Sequence, residues 1–450
     1  MQIIVQFAFL LDNIKIIKQK HSTKMNLMIK RLIFIHKNTS SCVSIILAIF
    51  LLISPSAVFA NQLLGGKLSY DGYLQNRTGV TTNNPETSLF ENRAQLSTKY
   101  QLQDDFEILG SFRLLYENKL ETNTRGDLEI RDLYLKYKND FSTLSYGKQQ
   151  VVWGKMDNVR VLDVINPLNL REFIFNDYVD SRIPLWMFNN EFYYKNHSFQ
   201  LIAIPEIKEN YYPNQGSRFY IDDSSANVSS SKTIKPKQKD VKNWEYAIKL
   251  DGSVEKIDYT LNFFHGWSDN FVDSFDINTM SVKSEIKRER KMGFSMERPI
   301  GDFVVRGEAA YTPDYYVETK GSLGLYNPEK VNNLTYASGI DWLYNNWFVG
   351  VQYIDNYIFN EPENFIDRNF DDIATLTVSY KAFNDKLELK SFIAHDLNKF
   401  SSWLSNSIKY DITNDYEIKI VLDVMDGKES SYFGQFDDED RLFISIKRYF

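Results

Sequence analysis

The fragment HGWSDN, residues 265 to 270, brings together the residue types of a serine hydrolase. Nucleophilic catalysis of that kind needs a histidine hydrogen-bonded to the serine hydroxyl and a third group that orients the histidine. His265 and Ser268 are three residues apart in what the pattern predicts to be an irregular loop, and this spacing favours no such geometry. We therefore expect no catalytic residues and no enzyme.

Metal and phosphate sites are not indicated by the sequence either. The chain has no histidine pair at helical spacing, no glycine-rich phosphate loop and no EF-hand pattern. The acidic run at 437–440 and the pair Asp371–Asp372 could share divalent cations with lipopolysaccharide, although solvated loop charge is the simpler explanation. We expect no metal and no cofactor.

The amino terminus predicts export. A basic stretch at 30–37 precedes the apolar run 43–53, which leads to small residues at Val58 and Ala60. This arrangement is typical of a signal peptide, here residues 1–60 with cleavage after Ala60. A transmembrane anchor is the alternative, but a spanning helix needs roughly 20 apolar residues.

Charge and cysteine content narrow the function classes further. The first 60 residues hold seven of the 52 basic and one of the 59 acidic residues, so residues 61–450 carry a formal net charge of −13. An acidic exported protein is a poor candidate for nucleic acid binding. The single cysteine, Cys42, lies inside the signal, so the mature chain has no disulfide.

Short segments with alternating apolar and polar residues recur along residues 61–450. In YEIKIVLDV (416–424) and IDYTLNF (257–263) the apolar side chains share one face, as in strands with one apolar and one wet face. Tight turns alternate with long polar connections, such as 206–243, 267–288 and 313–332. The layout is that of an outer-membrane barrel with turns in the periplasm and loops outside.

Counting strands from about Leu68 gives five before residue 150 and thirteen after Pro184, and an even total suits a closed barrel. We therefore predict an all-β fold, a transmembrane antiparallel β-barrel of about 18 strands, with 16 possible. The last residues, RLFISIKRYF, resemble the terminal strand by which the barrel assembly machinery recognises its substrates. Lipid and lipopolysaccharide would surround the barrel, and a homo-oligomer is compatible with it.

Residues 150–184 form a long connection that is unlike the polar loops. The segment is rich in Val, Leu, Ile, Phe and Trp, and such side chains are expected to pack against the barrel wall. We predict that it folds inward and narrows the pore; the alternative is that its charges pair with the wall and plug the barrel. The constriction residues would be Trp153, Asp157, Arg160, Asp163, Arg171, Glu172, Asp177, Asp180 and Arg182.

The alternation also predicts which charged residues of the strands face the lumen. They are Lys249, Arg306, Glu308, Glu388, Lys390, Glu417 and Lys419. Selectivity would come from the pore width and from these fixed charges. An acidic lumen would favour cations weakly, although loop charge could account for most of the net −13.

The amino-acid sequence of this region resembles that of a poorly characterised family of porin-like outer-membrane proteins of proteobacteria. The matching positions are Gly147, Gln149, Val151, Trp153, Gly154, Asn166 and Pro167. The resemblance implies a barrel in the outer membrane without an assigned substrate. For some members it implies work beside inner-membrane exporters of hydrophobic molecules.

The most direct functional prediction is a channel for passive passage of small solutes, narrowed by residues 150–184. The first alternative is an outer-membrane component for transport of hydrophobic molecules that works with an inner-membrane exporter. The second is a plugged structural or surface barrel that carries no current.

Overall fold

Nineteen β-strands make up most of the residues described by the computed structural model, which are 66–83, 85–156, 160–221, 231–238, 240–320, 326–366 and 372–450. The predicted signal peptide lies outside these residues. The strands are β1 Leu68–Thr81, β2 Thr87–Gln103, β3 Phe106–Asn118, β4 Arg125–Lys138, β5 Ser142–Gln149, β6 Leu185–Tyr194, β7 His197–Ile204, β8 Ser231–Ile234, β9 Glu245–Val254, β10 Ile257–Asp276, β11 Ser281–Ile300, β12 Phe303–Lys320, β13 Tyr326–Tyr344, β14 Trp347–Phe359, β15 Ile373–Ala382, β16 Leu387–Asp396, β17 Ser401–Asp411, β18 Tyr416–Asp426 and β19 Arg441–Tyr449.

The wall is a closed antiparallel barrel of 18 strands. Each wall strand pairs with its neighbour along the chain, β7 pairs directly with β9, and β1 closes the ring against β19. The short β8 lies outside the ring and pairs in parallel with β11. The predicted barrel of 18 strands, five before residue 150 and thirteen after Pro184, is confirmed.

The register gives the wall one apolar and one polar face. On β10, Leu261 and Phe263 are exposed on the outer face, whereas Thr260 and Asn262 are buried on the inner face. Aromatic side chains gather on the outer face near the tight turn at Asn345: Trp342 and Tyr344 stack with ring centroids 5.8 Å apart. Period-two alternation therefore separates a water-facing interior from an apolar exterior.

The prediction of a long loop is wrong at two places. Residues 267–288 are mostly strand, because β10 continues to Asp276 and β11 begins at Ser281. Residues 313–332 are also mostly strand, in β12 and β13. These stretches are rich in polar residues because they face water. A β-hairpin satisfies its own backbone hydrogen bonds, so its strands can extend without apolar side chains.

Helical structure is limited in the described residues. One α-helix, α1, spans Tyr178–Ser181, and 3₁₀ turns occupy Val241–Asn243 and Gly434–Glu439. None of the described helices has the length and apolar character needed to cross a membrane.

Candidate functional site

Segment 150–184 begins and ends at one point of the wall. Gln149 at the end of β5 is directly opposite Leu185 at the start of β6. The fully buried Asn166 joins the two ends: its side-chain Oδ1 accepts from the Val151 N–H at 2.8 Å, and its Nδ2 donates to the Ile183 carbonyl at 2.9 Å and the Gln149 carbonyl at 3.4 Å. The Asn166 side chain thus holds the first and last residues of the segment together.

Replacing Asn166 with Ala should destabilise the protein by about 2–4 kcal/mol, because the change leaves three buried backbone groups without partners. The free energy of unfolding in detergent micelles, measured by urea titration, checks this. The matched control is Asn169→Ala, since the Asn169 side chain accepts only one hydrogen bond that the structure shows, from the Arg171 N–H at 3.3 Å. Equal losses for the two variants would contradict the role given to Asn166.

The Trp153–Gly154 part of the segment is anchored to the wall at two places. The buried Trp153 indole donates to Gln200 on β7 at 2.9 Å. The Glu308 carboxylate on β12 accepts from the backbone N–H groups of Lys155 and, at 3.1 Å, of Met156. Gly154 has φ +95°, and a Cβ there would lie 3.2 Å from the Glu308 oxygens, so both conformation and space favour glycine.

Opposite charges attach the second half of the segment to a different arc of the wall. Glu172 is buried and pairs with Arg77 on β1 at 2.6 Å and with Arg441 on β19 at 2.8 Å. Asp180, in α1, pairs with Arg93 on β2 at 2.6 Å and Arg113 on β3 at 2.5 Å. Because β12 is far from β19, β1, β2 and β3 in the sheet order, the segment bridges two separated arcs of the ring.

The apolar side chains of the segment pack on the inner face around the Gln200 and Glu308 anchors. Val151, Trp153, Val161, Leu162 and Ile165 form one buried cluster with inner-face residues of β6 to β16. Leu162 lies over Gly293 on β11, where a Cβ would approach its Cδ2 to 2.3 Å. The wall residues of this cluster include Met187, Ile204, Phe264, Ala310, Ile354 and Phe392. The acidic residues of the segment therefore contact an arginine-rich arc of the wall, and its apolar residues contact an apolar arc.

The acidic anchors should hold down to low pH. Burial raises the pKa of both carboxyl groups, but the arginines that bind them outweigh burial, so the pKa of Glu172 and that of Asp180 lie well below the ordinary range. A carboxyl with a depressed folded-state pKa contributes stability that is complete above its unfolded pKa of about 4 and is lost as the pH falls toward the folded value.

We accordingly expect hydrogen exchange protection of residues 170–182, corrected for intrinsic rates, to be equal at pH 7 and pH 5 and to decline only below about pH 4. The stretch around Asn166 is an internal control, because a neutral amide holds it. Loss of protection at 170–182 between pH 7 and pH 5 would contradict the assignment.

The remaining predicted constriction residues have more local roles. Arg182 pairs with Asp163 at 2.7 Å, and Arg160 lies 3.6 Å from the same carboxylate, so these three brace the segment internally. Arg171 lies 3.4 Å from Glu121, in the β3–β4 connection. The carbonyl of Asp177 accepts the first hydrogen bonds of α1, while its side chain makes no capping bond. Asp157 lies outside the described residues.

All seven predicted lumen residues lie on the inner face by register, the face that Glu308 shares with the segment. Arg306 pairs with Asp341 and donates to the Lys155 carbonyl at 2.9 Å. Lys249 pairs with Asp251 at 3.1 Å. Further round the ring, Glu388 lies 3.6 Å from Lys409, and Glu417 accepts from the Tyr449 hydroxyl at 3.2 Å. Lys390 and Lys419 complete this set.

The arginines of the wall were missed by sequence reasoning. Arg77, Arg93, Arg113 and Arg441 are each less than a tenth exposed, yet nothing in their local sequence distinguishes them from surface arginines. The available signal was their placement at inward positions of predicted strands. A buried guanidinium requires an acidic partner, and the segment carries five acidic and four basic residues.

The fragment HGWSDN is not a loop, so that prediction is wrong; it lies within β10. The His265 Nε2 accepts from the Arg288 guanidinium at 3.1 Å, and the Ser268 hydroxyl accepts from the Asn270 N–H at 3.2 Å. The geometry therefore shows a His–Arg contact in place of a His–Ser one. Within the described part of the chain, no group of three or more His, Cys, Asp or Glu residues is placed to hold a metal ion.

Comparisons with known proteins give low sequence identities and one family. The chain is similar to the solved structures of OmpT, an outer membrane protein of Vibrio cholerae (13% identity, 85% of this chain and 97% of that one, TM-score 0.41), and of Salmonella typhi OmpF in complex with daunomycin (11%, 85% and 97%, 0.43). It is also similar to Pseudomonas aeruginosa OccK5 (OpdH), with 12% identity over 85% and 97% of the two chains and a TM-score of 0.48. No curated protein matches it. The family described as "Protein of unknown function (DUF1302)" has a model that matches residues 61–450, and the chain belongs to that family.

Proposed function

We propose that residues 61–450 form an outer-membrane channel for small solutes, narrowed by segment 150–184. The observation that carries this proposal is a closed wall of 18 strands whose interior is bridged by one segment held at Glu308 on one arc and at four arginines on another. Barrels of 16 to 18 strands are wide enough for an aqueous channel. A single bridging segment then sets the narrowest cross-section.

The outer face supports the membrane location. A closed barrel leaves no strand edge unpaired in lipid, and the exposed outer side chains are largely apolar or aromatic. The final residue, Phe450, exchanges two backbone hydrogen bonds of 3.0 Å with Gly72 on β1 and so completes the seam of the ring. We infer export by the signal peptide 1–60, insertion by the barrel assembly machinery, and contact with lipid and lipopolysaccharide.

The experiment is single-channel recording of the refolded 61–450 chain in planar bilayers at two salt concentrations. A water-filled channel gives stepwise currents whose size rises with salt concentration. Protein that was unfolded by heat before addition serves as the control. A folded barrel that produces no steps would overturn the channel proposal and leave the plugged barrel.

A second candidate is passage of hydrophobic molecules, favoured by the apolar arc of the inner wall. Phe264, Ile354 and Phe392 face the interior, and all are buried beneath the segment. Displacement of the segment would expose an apolar surface suited to such cargo. An apolar fluorophore that brightens with the folded barrel, and less so with Ile354→Asn, would support this candidate; no brightening would exclude it.

A further inference from the structure

Four lysines lie on the inner face of four adjacent strands, between segment 150–184 and the tight-turn end of the barrel. They are Lys390 on β16, Lys409 on β17, Lys419 on β18 and Lys447 on β19. We name them the lysine stripe. Lys419 is directly opposite Ser445, which is directly opposite Arg77, whose guanidinium binds the segment. Because opposed residues share a face of an antiparallel sheet, the stripe faces the interior.

The register of the stripe opposes like charges. Lys409 is directly opposite Lys419 across the β17–β18 ladder. Like charges placed directly opposite each other destabilise a sheet unless something compensates them. Glu388 is 3.6 Å from Lys409, whose side chain is 31% exposed. The other three stripe lysines are also partly exposed, so the stripe is reachable from the interior.

On the tight-turn side of the segment, the inner face of β15 to β19 carries more basic than acidic residues. The basic residues there are Lys381 and the four stripe lysines, and the acidic residues are Glu388, Asp411 and Glu417, an excess of two positive charges. Farther along the same strands, Arg441 pairs with Asp423, and Asp396 lies at the other end of β16. The Glu417 carboxylate accepts a hydrogen bond from the Tyr449 hydroxyl at 3.2 Å. This hydrogen bond competes with the interaction between Glu417 and the lysines.

Three inner-face cations on other strands have acidic partners. Lys249 pairs with Asp251 at 3.1 Å, Lys99 with Glu107 at 2.7 Å, and Arg306 with Asp341. The lysine stripe differs from these cations because its lysines outnumber the acids beside them. The stripe also leads toward the segment, because Lys447 is opposite Gln75 on β1, and Gln75 is opposite Arg93 on β2.

We propose that the lysine stripe binds small anions bearing carboxylate or phosphate groups and makes the channel anion-selective, although residues 61–450 carry a net charge of −13. This rests on the proposed channel function. Fixed cations along a water-filled path raise the local concentration of anions and lower the barrier to their passage. The net acidity of the chain lies mainly elsewhere, so it does not decide selectivity.

The test is the reversal potential of the 61–450 channel in a tenfold KCl gradient. The expected sign is that of chloride preference. The triple variant K390Q/K409Q/K419Q should lower the chloride-to-potassium permeability ratio by about twofold or more, because three charges are removed from one arc. The matched control Lys99→Gln removes an inner-face cation that already has an acidic partner and should change the ratio much less.

Two further measurements distinguish phosphate from carboxylate as the group that the stripe binds. Inorganic phosphate and succinate, added separately at millimolar concentration, should each reduce chloride current through the parent channel and not through the triple variant. Block by only one of them assigns the stripe to that group. Steps that are cation-selective, or equal ratios for the triple variant and Lys99→Gln, would overturn the inference while leaving the channel intact, whereas absence of all steps would overturn the channel itself.

Discussion

Replacing residues 151–183 with an Asn-Gly pair is expected to raise single-channel conductance about threefold or more, because the narrowest cross-section of an 18-stranded barrel is then set by the wall. Gln149 and Leu185 are already directly opposed, so a short turn can join β5 to β6 without a change of register. Asn-Gly suits such a hairpin turn. Planar-bilayer recording under identical salt conditions is the measurement.

A smaller deletion separates the two halves of the segment. Leu168 and Arg182 form a bridge, and the Ile183 N–H donates to the Pro167 carbonyl at 2.8 Å, so residues 169–181 are a loop within the loop. Replacing 169–181 with Asn-Gly removes the acids that bind the arginines and leaves the apolar half in place. This variant should give an intermediate conductance. Folded variants that conduct as the parent does would show that the segment does not limit the current.

Neutralising Glu172 is expected to destabilise the protein strongly, because this carboxylate pairs with two buried arginines. Glu172→Gln removes the negative charge that pairs with the buried guanidinium groups of Arg77 and Arg441. Removing one partner from a buried ionic group costs about 3–5 kcal/mol. Because Arg77 keeps Glu91 at 3.1 Å and Arg441 keeps Asp423 at 3.1 Å, we expect about 3 kcal/mol, measured as the free energy of unfolding in micelles.

A double-mutant cycle shows whether this loss belongs to the pair. Arg77→Met combined with Glu172→Gln should lose less than the sum of the two single variants, by about 1–3 kcal/mol. The control cycle uses Lys99 and Glu107, whose lysine is 49% exposed, and should show coupling of less than about 1 kcal/mol. Additive losses at Arg77 and Glu172 would mean that this ion pair does not help to hold the segment.

Trp153, Gly154 and Asn166 have structural roles that their spacing in the sequence did not indicate. The wall strand β5 ends at Gln149, before Trp153 and Gly154, and Asn166 ties the start of the segment to its end. The motif spacing could not indicate this, because those hydrogen bonds join residues that only folding brings together.

The wall of the barrel could be predicted from local sequence patterns. Alternation and turn residues are local properties, and in a meander each strand pairs with the next along the chain, so counting them recovered 18 strands and the face of Lys390 or Glu417. The amphipathic composition of residues 150–184 likewise required a surface to pack on.

Which charged residues pair with one another depends on the closure of the barrel and could not be predicted from local sequence. Arg441 and Arg77 become neighbours because the first and last strands close the ring, and Glu172 reaches both from a segment that crosses between arcs. The same closure places Lys447 of the lysine stripe opposite Gln75 on β1. Local sequence does not encode such contacts, because the strength of an ionic interaction depends on distance and burial, and both are set by the closure of the barrel.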